Sequence, residues 1–159
     1  MTQLKKSTLD FLKQLDQNNN REWFTENKSW YVEEHENAFN FAEALLNALK
    51  EHDQITTVSG KKSLMRVYRD VRFSKDKSPY KTHVGAIVSK GGRKENVKPG
   101  FYIQIEQSSF HLGGGCYVLP KQELLNLRMY LIDNYDSFLK IIQDKTFVKH
   151  FRLFDNFCQ

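Results

Sequence analysis

The sequence has few cysteines and no closely spaced pair of them. Cys116 and Cys158 lie 42 positions apart, and no Cys-x-x-Cys motif is present. This excludes a disulfide-rich scaffold, and it argues against cysteine-ligated zinc because neither thiol has a partner ligand nearby in the sequence. We interpret both residues as reduced thiols of a cytoplasmic protein.

Long apolar runs are also lacking. Residues 1–7 are not followed by an apolar segment, so no secretory signal is predicted, and no stretch approaches the roughly 20 apolar residues that span a bilayer. The histidines and carboxylates show no metal-binding spacing, and Gly113–Gly115 does not have the spacing of a nucleotide-binding fingerprint. We therefore predict no membrane segment, no metal and no cofactor.

The sequence is rich in aromatic side chains. Its 159 residues include 12 Phe, 7 Tyr and 2 Trp, and 40% of the residues are hydrophobic. Disordered chains are poor in such side chains, and this length is typical of one domain with a sizeable core. We expect a single folded domain over residues 1–159.

Apolar spacing predicts helices in the first third of the chain. Residues 7–52 show helical periodicity, with Ser7 as the first N-cap and a break at Asn18–Asn20. Asn20 is predicted to cap the next helix, and a second break is expected near Asn27.

Strands and then further helices are predicted after residue 54. The sheet region is 55–117, with a short β-prone run at 55–58, a strand at 83–89 and a hairpin at 101–117 whose second strand is interrupted at Gly113–Gly115. Helices follow over 120–157. This order indicates an α+β fold, with an antiparallel β-sheet packed against N-terminal and C-terminal helices.

The net charge of +5 is unevenly distributed along the chain. Residues 1–54 carry −4, residues 55–100 carry +9 and residues 101–159 carry 0. A concentrated positive charge attracts phosphate, nucleic acid or acidic metabolites. The alternative is a solvated loop whose lysines only keep the protein soluble.

Most of this excess lies in or near Arg66–His83, hereafter the basic segment. It holds seven basic side chains counting His83, but only two acids, together with three aromatic rings. Guanidinium groups present a rigid fork of donors that suits carboxylate or phosphate, and turn amides beside lysines can cradle an anion. The predicted ligand-binding residues are Arg69, Arg72, Lys75, Lys77, Tyr80, Lys81 and Tyr102, with the two tyrosines as flanking platforms.

Asp70 and His83 are the candidate catalytic residues. Asp70 lies between arginines, where a carboxylate more often forms a salt bridge than acts as a base. His83 begins a predicted strand, where it either bonds a backbone carbonyl or exchanges a proton near neutral pH. Both interpretations of each residue stay open at this point.

The stretch from Arg69 to His83, Arg-Asp-Val-Arg-Phe-Ser-Lys-Asp-Lys-Ser-Pro-Tyr-Lys-Thr-His, closely resembles the signature of a bacterial and fungal family numbered 2461 among the domains of unknown function. Asn19–Phe24, Pro99–Tyr102 and Gly113–Tyr117 match further motifs in the same order, so the resemblance covers nearly the whole chain. It implies no activity, because the family has none established.

Two features depart from that family's pattern. Its second long helix usually contains a proline, whereas Asn37-Ala38-Phe39 has none, which puts a kink there in doubt. The family also usually continues with a basic, proline-containing segment, so we expect that this chain, which ends in an aromatic run, is truncated or is normally followed by more protein.

Three functions fit these patterns. The first is an anion-binding domain whose ligand carries phosphate, as a nucleotide or a nucleic-acid backbone. The second is an enzyme acting on a phosphorylated or acidic small molecule, in which Asp70 or His83 moves a proton. The third is an interaction module in which the basic segment docks an acidic partner, the chain's own first third included.

Side-chain placement separates these hypotheses. The enzyme requires Arg69, Asp70 and His83 to converge on one pocket. Intramolecular docking requires Arg69 and Arg72 to pair with acids of the first third, such as Glu22 or Glu26.

Overall fold

The computed structural model describes residues 3–91, 98–116 and 118–151. The chain divides into two compact units, Met1–Val118 and Leu119–Gln159, which are described separately. The described helices are α1 (Lys6–Gln17), α2 (Arg21–Glu26), α3 (Lys28–Lys50), α4 (Gly60–Ser63), α5 (Lys121–Asp133), α6 (Tyr135–Ile142) and α7 (Lys145–His150). The strands are β1 (Val84–Ser89), β2 (Gly100–Ile105) and β3 (Phe110–Gly115). This composition confirms the α+β class.

The predicted breaks between the first helices are confirmed. The Asn20 side chain accepts a hydrogen bond from the Trp23 amide at 2.9 Å, which satisfies one of the unpaired donors at the start of α2. Asn27 separates α2 from α3, and its side chain donates to the Trp23 carbonyl at 2.9 Å.

The predicted Ser7 cap is wrong. Helix α1 begins at Lys6, and the Lys5 amide donates to Oδ1 of Asn37 in α3 at 2.9 Å. The Thr8 hydroxyl lies 2.8 Å from the same oxygen. A side chain from a distant part of the sequence therefore satisfies the start of α1, where a local cap was expected.

The sheet is antiparallel in the order β1-β2-β3, which confirms the predicted strand and hairpin. The predicted interruption at the glycines is wrong. Gly113 pairs with Tyr102 and Gly114 with Phe101, so β3 continues in register up to Gly115. The backbones of β2 and β3 pair directly. The glycines therefore stay paired in the sheet without the packing of a side chain.

The β-prone run at 55–58 does not form a strand. The Thr57 hydroxyl instead lies 3.1 Å from the Ser89 amide and 3.2 Å from the Ser89 carbonyl, so a side chain replaces the backbone pairing. The short helix α4 follows this run. Its first residue, Gly60, donates its amide to Glu43 of α3 at 2.5 Å, and a Cβ at Gly60 would lie 2.8 Å from the Glu43 Cα.

Two apolar clusters form the core of the first unit. One joins α3 to the sheet and includes Leu46, Val88 and Ile103. The other joins α1 and α2 to Tyr80 of the basic segment. The second cluster positions the candidate site, because it fixes one end of the basic segment against the helices.

The second unit consists of α5, α6 and α7. Pro120 is the N-cap of α5. Asp144 caps α7 by accepting the Thr146 amide at 2.8 Å. Helix α7 ends at His150, earlier than predicted, because Phe151 has an extended backbone (φ −126°, ψ 144°), and the prediction for 152–157 lies outside the described residues. None of the described helices is long and apolar enough to cross a membrane.

Candidate functional site

The basic segment forms a loop that is closed at its base. Tyr68 and Tyr80 pair as an isolated antiparallel bridge. The Arg69 amide donates to the Pro79 carbonyl at 2.9 Å, and the Lys81 amide donates to the Val67 carbonyl at 2.8 Å. The residues between these pairs, 70–78, project from that base.

Asn19, just after α1, holds the base of this loop. Its side-chain amide donates to the Tyr80 carbonyl at 3.0 Å, and its side-chain carbonyl accepts the Tyr80 amide at 3.0 Å. The Tyr80 ring is only 5% exposed and stacks on Phe24, with 4.0 Å between ring centroids. Burial also raises the pKa of Tyr80. This ring lies in the core, where it cannot serve as the surface platform that the sequence predicted.

Arg69 braces the loop from inside. Its Nη1 donates to the Asp76 carboxylate and to the Ser78 hydroxyl. Ser78 in turn donates its amide at 2.9 Å and its hydroxyl at 2.6 Å to Oδ1 of Asp76. The hydrogen bonds from Ser78, followed by that from Arg69, hold the pKa of Asp76 well below its usual range. Asp76 is therefore an ionised structural partner.

Asp70 and Arg72 form a two-pronged salt bridge. Arg72 Nε donates to Oδ1 at 2.9 Å and Nη2 donates to Oδ2 at 2.7 Å. These hydrogen bonds lower the pKa of Asp70, so its carboxyl group is ionised at neutral pH. A carboxylate held in this way is a weak proton acceptor, and the geometry agrees with the salt-bridge interpretation of Asp70.

The outer surface of the loop is cationic. The side chains of Arg72, Lys75 and Lys77 are exposed, and Lys77 donates one hydrogen bond to the Val71 carbonyl at 2.9 Å. Phe73 lies among them with 96% of its surface exposed.

An open cavity of about 620 Å³ lies beside the loop. It brings together five of the nine predicted site residues, Arg69, Asp70, Tyr80, Lys81 and His83. The other described lining residues are Asp16, Asn19, Asp76, Ser78 and Thr82. Carboxylates and cations alternate on its wall, so its charge is mixed rather than strongly positive.

The remaining four predicted residues lie elsewhere. Arg72, Lys75 and Lys77 are on the outer surface of the loop and are not among the described lining residues of the cavity. Tyr102 is half-buried on β2, and its hydroxyl donates to Gln104.

His83 is half-buried at the junction of two cavities. Burial, followed by the nearby Lys81, lowers the pKa of its imidazole, which is therefore mainly neutral at pH 7. Besides the open cavity, it lines a narrow one of about 40 Å³ that also contacts Glu34 and His35. A neutral imidazole can accept a proton, which is the property required of a general base.

Sequence reasoning did not select two residues that shape this site. Asn19 was interpreted only as a helix breaker, because its partner Tyr80 is 61 positions away. Phe73 was not selected either, although a signal was present: it is the one aromatic ring among the polar and cationic residues of 69–79.

Among the described residues, no three His, Cys, Asp or Glu side chains are grouped as a metal site requires. No curated protein and no solved structure matches the chain significantly. A family model does match over residues 7–157, and the family is described as conserved hypothetical protein (DUF2461). This match covers nearly the whole sequence, including the basic segment and the Asn19 anchor, and the chain therefore belongs to the DUF2461 family.

Proposed function

We propose that the basic segment binds a phosphate-bearing or otherwise anionic ligand. One observation carries the proposal: both carboxylates of the segment are bonded to arginines of the same segment, Asp76 to Arg69 and Asp70 to Arg72. Residues 66–83 contain six Lys and Arg against these two Asp, so a charge of +4 remains after both pairs are counted.

The arginine pairs bear on the alternative of intramolecular docking. That alternative requires Arg69 and Arg72 to find carboxylates in the acidic first third of the chain. Their ion-pair partners in the described structure come from the basic segment itself, and Glu22 and Glu26 are not among them. The internal pairs support a segment that keeps its positive excess for an external anion.

The distribution of this excess favours the outer surface of the loop. The cavity wall carries Asp16, Asp70 and Asp76 as well as its cations, which weakens its attraction for an anion. Lys75 and Lys77 are exposed on the outside, and Arg66 is exposed near the base. A ligand with several phosphates reaches more of these cations than a single small ion does.

Inorganic polyphosphate is a suitable first probe. The unmodified protein is expected to bind it at low salt, with an affinity that falls as salt is added. The double variant Lys75→Gln/Lys77→Gln should reduce the slope of log affinity against log salt by about 2, because each lost phosphate contact removes about 1. Isothermal titration calorimetry at several salt concentrations measures this slope.

The matched control removes two lysine charges from positions outside the basic segment. Lys13 on α1 and Lys50 on α3 are exposed and lie outside the basic segment. The variant Lys13→Gln/Lys50→Gln should retain the original slope. An equal loss in both double variants, or no binding at low salt, contradicts the proposal.

A second candidate is an enzyme acting on a phosphorylated or acidic small molecule. The observation that favours it is that Arg69, Asp70 and His83 all line the open cavity. In this reading His83 is the general base and Arg69 orients the substrate. A compound from a panel of phosphorylated and dicarboxylic molecules should raise the melting temperature of the protein but not of His83→Gln. A panel in which no compound does so argues against the enzyme.

A further inference from the structure

The Phe73 side chain is large and apolar, yet it lies almost entirely in solvent. It has 96% of its surface in solvent, more than any other large apolar side chain described as exposed in the structure. Its described ring contact is with the Arg72 guanidinium, 5.8 Å from the ring centroid. An apolar ring in this position contributes little to the core, and it is available to a partner.

The loop presents this ring on a braced backbone. The Arg69 bonds to Asp76 and Ser78 tie the two sides of the loop together. Lys77 donates a hydrogen bond to the Val71 carbonyl at 2.9 Å. Arg72, which lies beside the ring, donates to the Asp70 carboxylate. A partner that contacts Phe73 therefore meets a surface already ordered, which reduces the entropy lost on binding.

Cationic side chains surround the ring at short sequence distance. Arg72 precedes Phe73, and Lys75 and Lys77 follow it, all exposed. An aromatic ring among cations is the arrangement that binds single-stranded nucleic acid, because bases stack on the ring while phosphates meet the charges. The bases of a duplex are already stacked on both faces, so an added ring selects for unpaired bases.

We propose that the ligand is a single-stranded nucleic acid, with Phe73 stacked on an unpaired base and with Lys75 and Lys77 against its phosphates. This inference rests on the proposed anion-binding function and specifies its ligand class.

An anionic membrane surface fits these residues less well. Membrane insertion needs several neighbouring apolar side chains. In the sequence Val71 is the nearest apolar neighbour of Phe73, and Arg72, Ser74 and Lys75 are charged or polar.

The test measures binding of a labelled oligothymidylate of about 12 nucleotides by fluorescence anisotropy. Phe73→Ala is expected to weaken this binding by about 5- to 150-fold, the range found when a stacked base loses its ring. Its affinity for inorganic polyphosphate should not change. Phe73→Trp should retain oligonucleotide binding, and its indole fluorescence should be quenched when the oligonucleotide is added.

Phe110→Ala is the matched control, because Phe110 is an exposed phenylalanine on β3 outside the basic segment. It should bind the oligonucleotide as the unmodified protein does. Phe73→Leu provides a second non-aromatic variant in case the alanine variant folds poorly, and it should lose affinity as well.

The outcomes separate this inference from the function on which it rests. If polyphosphate binds but Phe73→Ala and Phe73→Leu bind the oligonucleotide normally, the stacking inference is overturned and anion binding stands. The same holds if a duplex binds as tightly as the single strand, or if polyphosphate and phosphatidylserine vesicles bind but the oligonucleotide does not. If neither polyphosphate nor oligonucleotide binds at low salt, both proposals fail.

Discussion

Asn19 joins the end of α1 to the base of the basic segment through one side-chain amide. The two hydrogen bonds to the Tyr80 backbone have the donor and acceptor pattern of a β-bridge, supplied by a side chain. Tyr80 is buried, so its amide and carbonyl have no easy access to water if Asn19 is lost.

Asn19→Ala should therefore destabilise the protein by about 1–3 kcal/mol, the cost of leaving such groups without partners. Urea denaturation measures the free energy of unfolding. Asn47→Ala, at an exposed position of α3, makes the same chemical change without breaking a described contact and should alter stability by less than about 0.5 kcal/mol. Equal effects at the two positions would show that the Tyr80 contact is not stabilising.

The structural roles of the two adjacent asparagines, Asn19 and Asn20, were not equally predictable from the sequence. The role of Asn20 was predicted because its partner, the Trp23 amide, is three residues away and helix capping follows a local rule. The role of Asn19 was not, because no local rule connects it to Tyr80. Asp70 falls between the two, since the neighbouring arginines made a salt bridge one of its two open interpretations but the choice of Arg72 required the loop geometry.

At the scale of elements, α4 packs too closely on α3 to accept a side chain at its first residue. A Cβ on Gly60 would meet backbone atoms of Ala42 and Glu43, and backbone cannot move aside as a flexible side chain can. The bond from the Gly60 amide to the Glu43 carboxylate depends on the same approach.

The same substitution at two glycines should therefore have opposite consequences. Gly60→Ala should lower the free energy of unfolding by about 1–3 kcal/mol through overpacking. Gly113→Ala on β3 meets open space and should be neutral or stabilising by up to about 1 kcal/mol, because glycine is costly in a strand. Thermal or urea denaturation compares the two. A tolerated Gly60→Ala would contradict the close packing of α4 on α3.

Elements with a clear local pattern were predicted well. The helices on either side of Asn27 and the hairpin of β2 and β3 follow from periodicity. The run at 55–58 was misassigned because β propensity does not reveal that Thr57 would bond Ser89 through its hydroxyl. The interruption of β3 was misassigned because glycine weakens a strand only on average, and here the pairing with β2 is retained.

For the molecule as a whole, stability should depend on two half-buried histidines. Burial lowers the pKa of both His35 and His83, Lys61 and Lys28 lower that of His35 further, and Glu36 and Glu106 partly oppose these shifts. The folded state therefore binds protons less readily than the unfolded chain. Its extra stability is complete above the unfolded pKa of about 6.5 and is lost as the pH falls through the lower folded values.

The free energy of unfolding should consequently decrease between pH 7 and pH 5. Urea denaturation across this range (about two pH units around the ordinary histidine pKa) measures the slope. His83→Gln should make the slope shallower, whereas His52→Gln, at an exposed position after α3, should leave it unchanged. A slope that is the same in all three proteins would exclude a contribution from His83.

The α+β class and the position of the positive charge followed from sequence, because both are sums over many residues. Five predicted residues line the open cavity, but Asp16 and Asn19 were not predicted, because they reach it from a distant helix end.

The anchoring of Tyr80 by Asn19 also has a consequence for the order of folding. Contacts this far apart carry a loop-closure cost that helices with local contacts do not pay. Helices α1, α2 and α3 are synthesised first and form from neighbouring residues, whereas the base of the basic segment needs Asn19 already in place. We therefore expect the cationic loop to acquire its shape late, on a template made by the acidic part of the same chain.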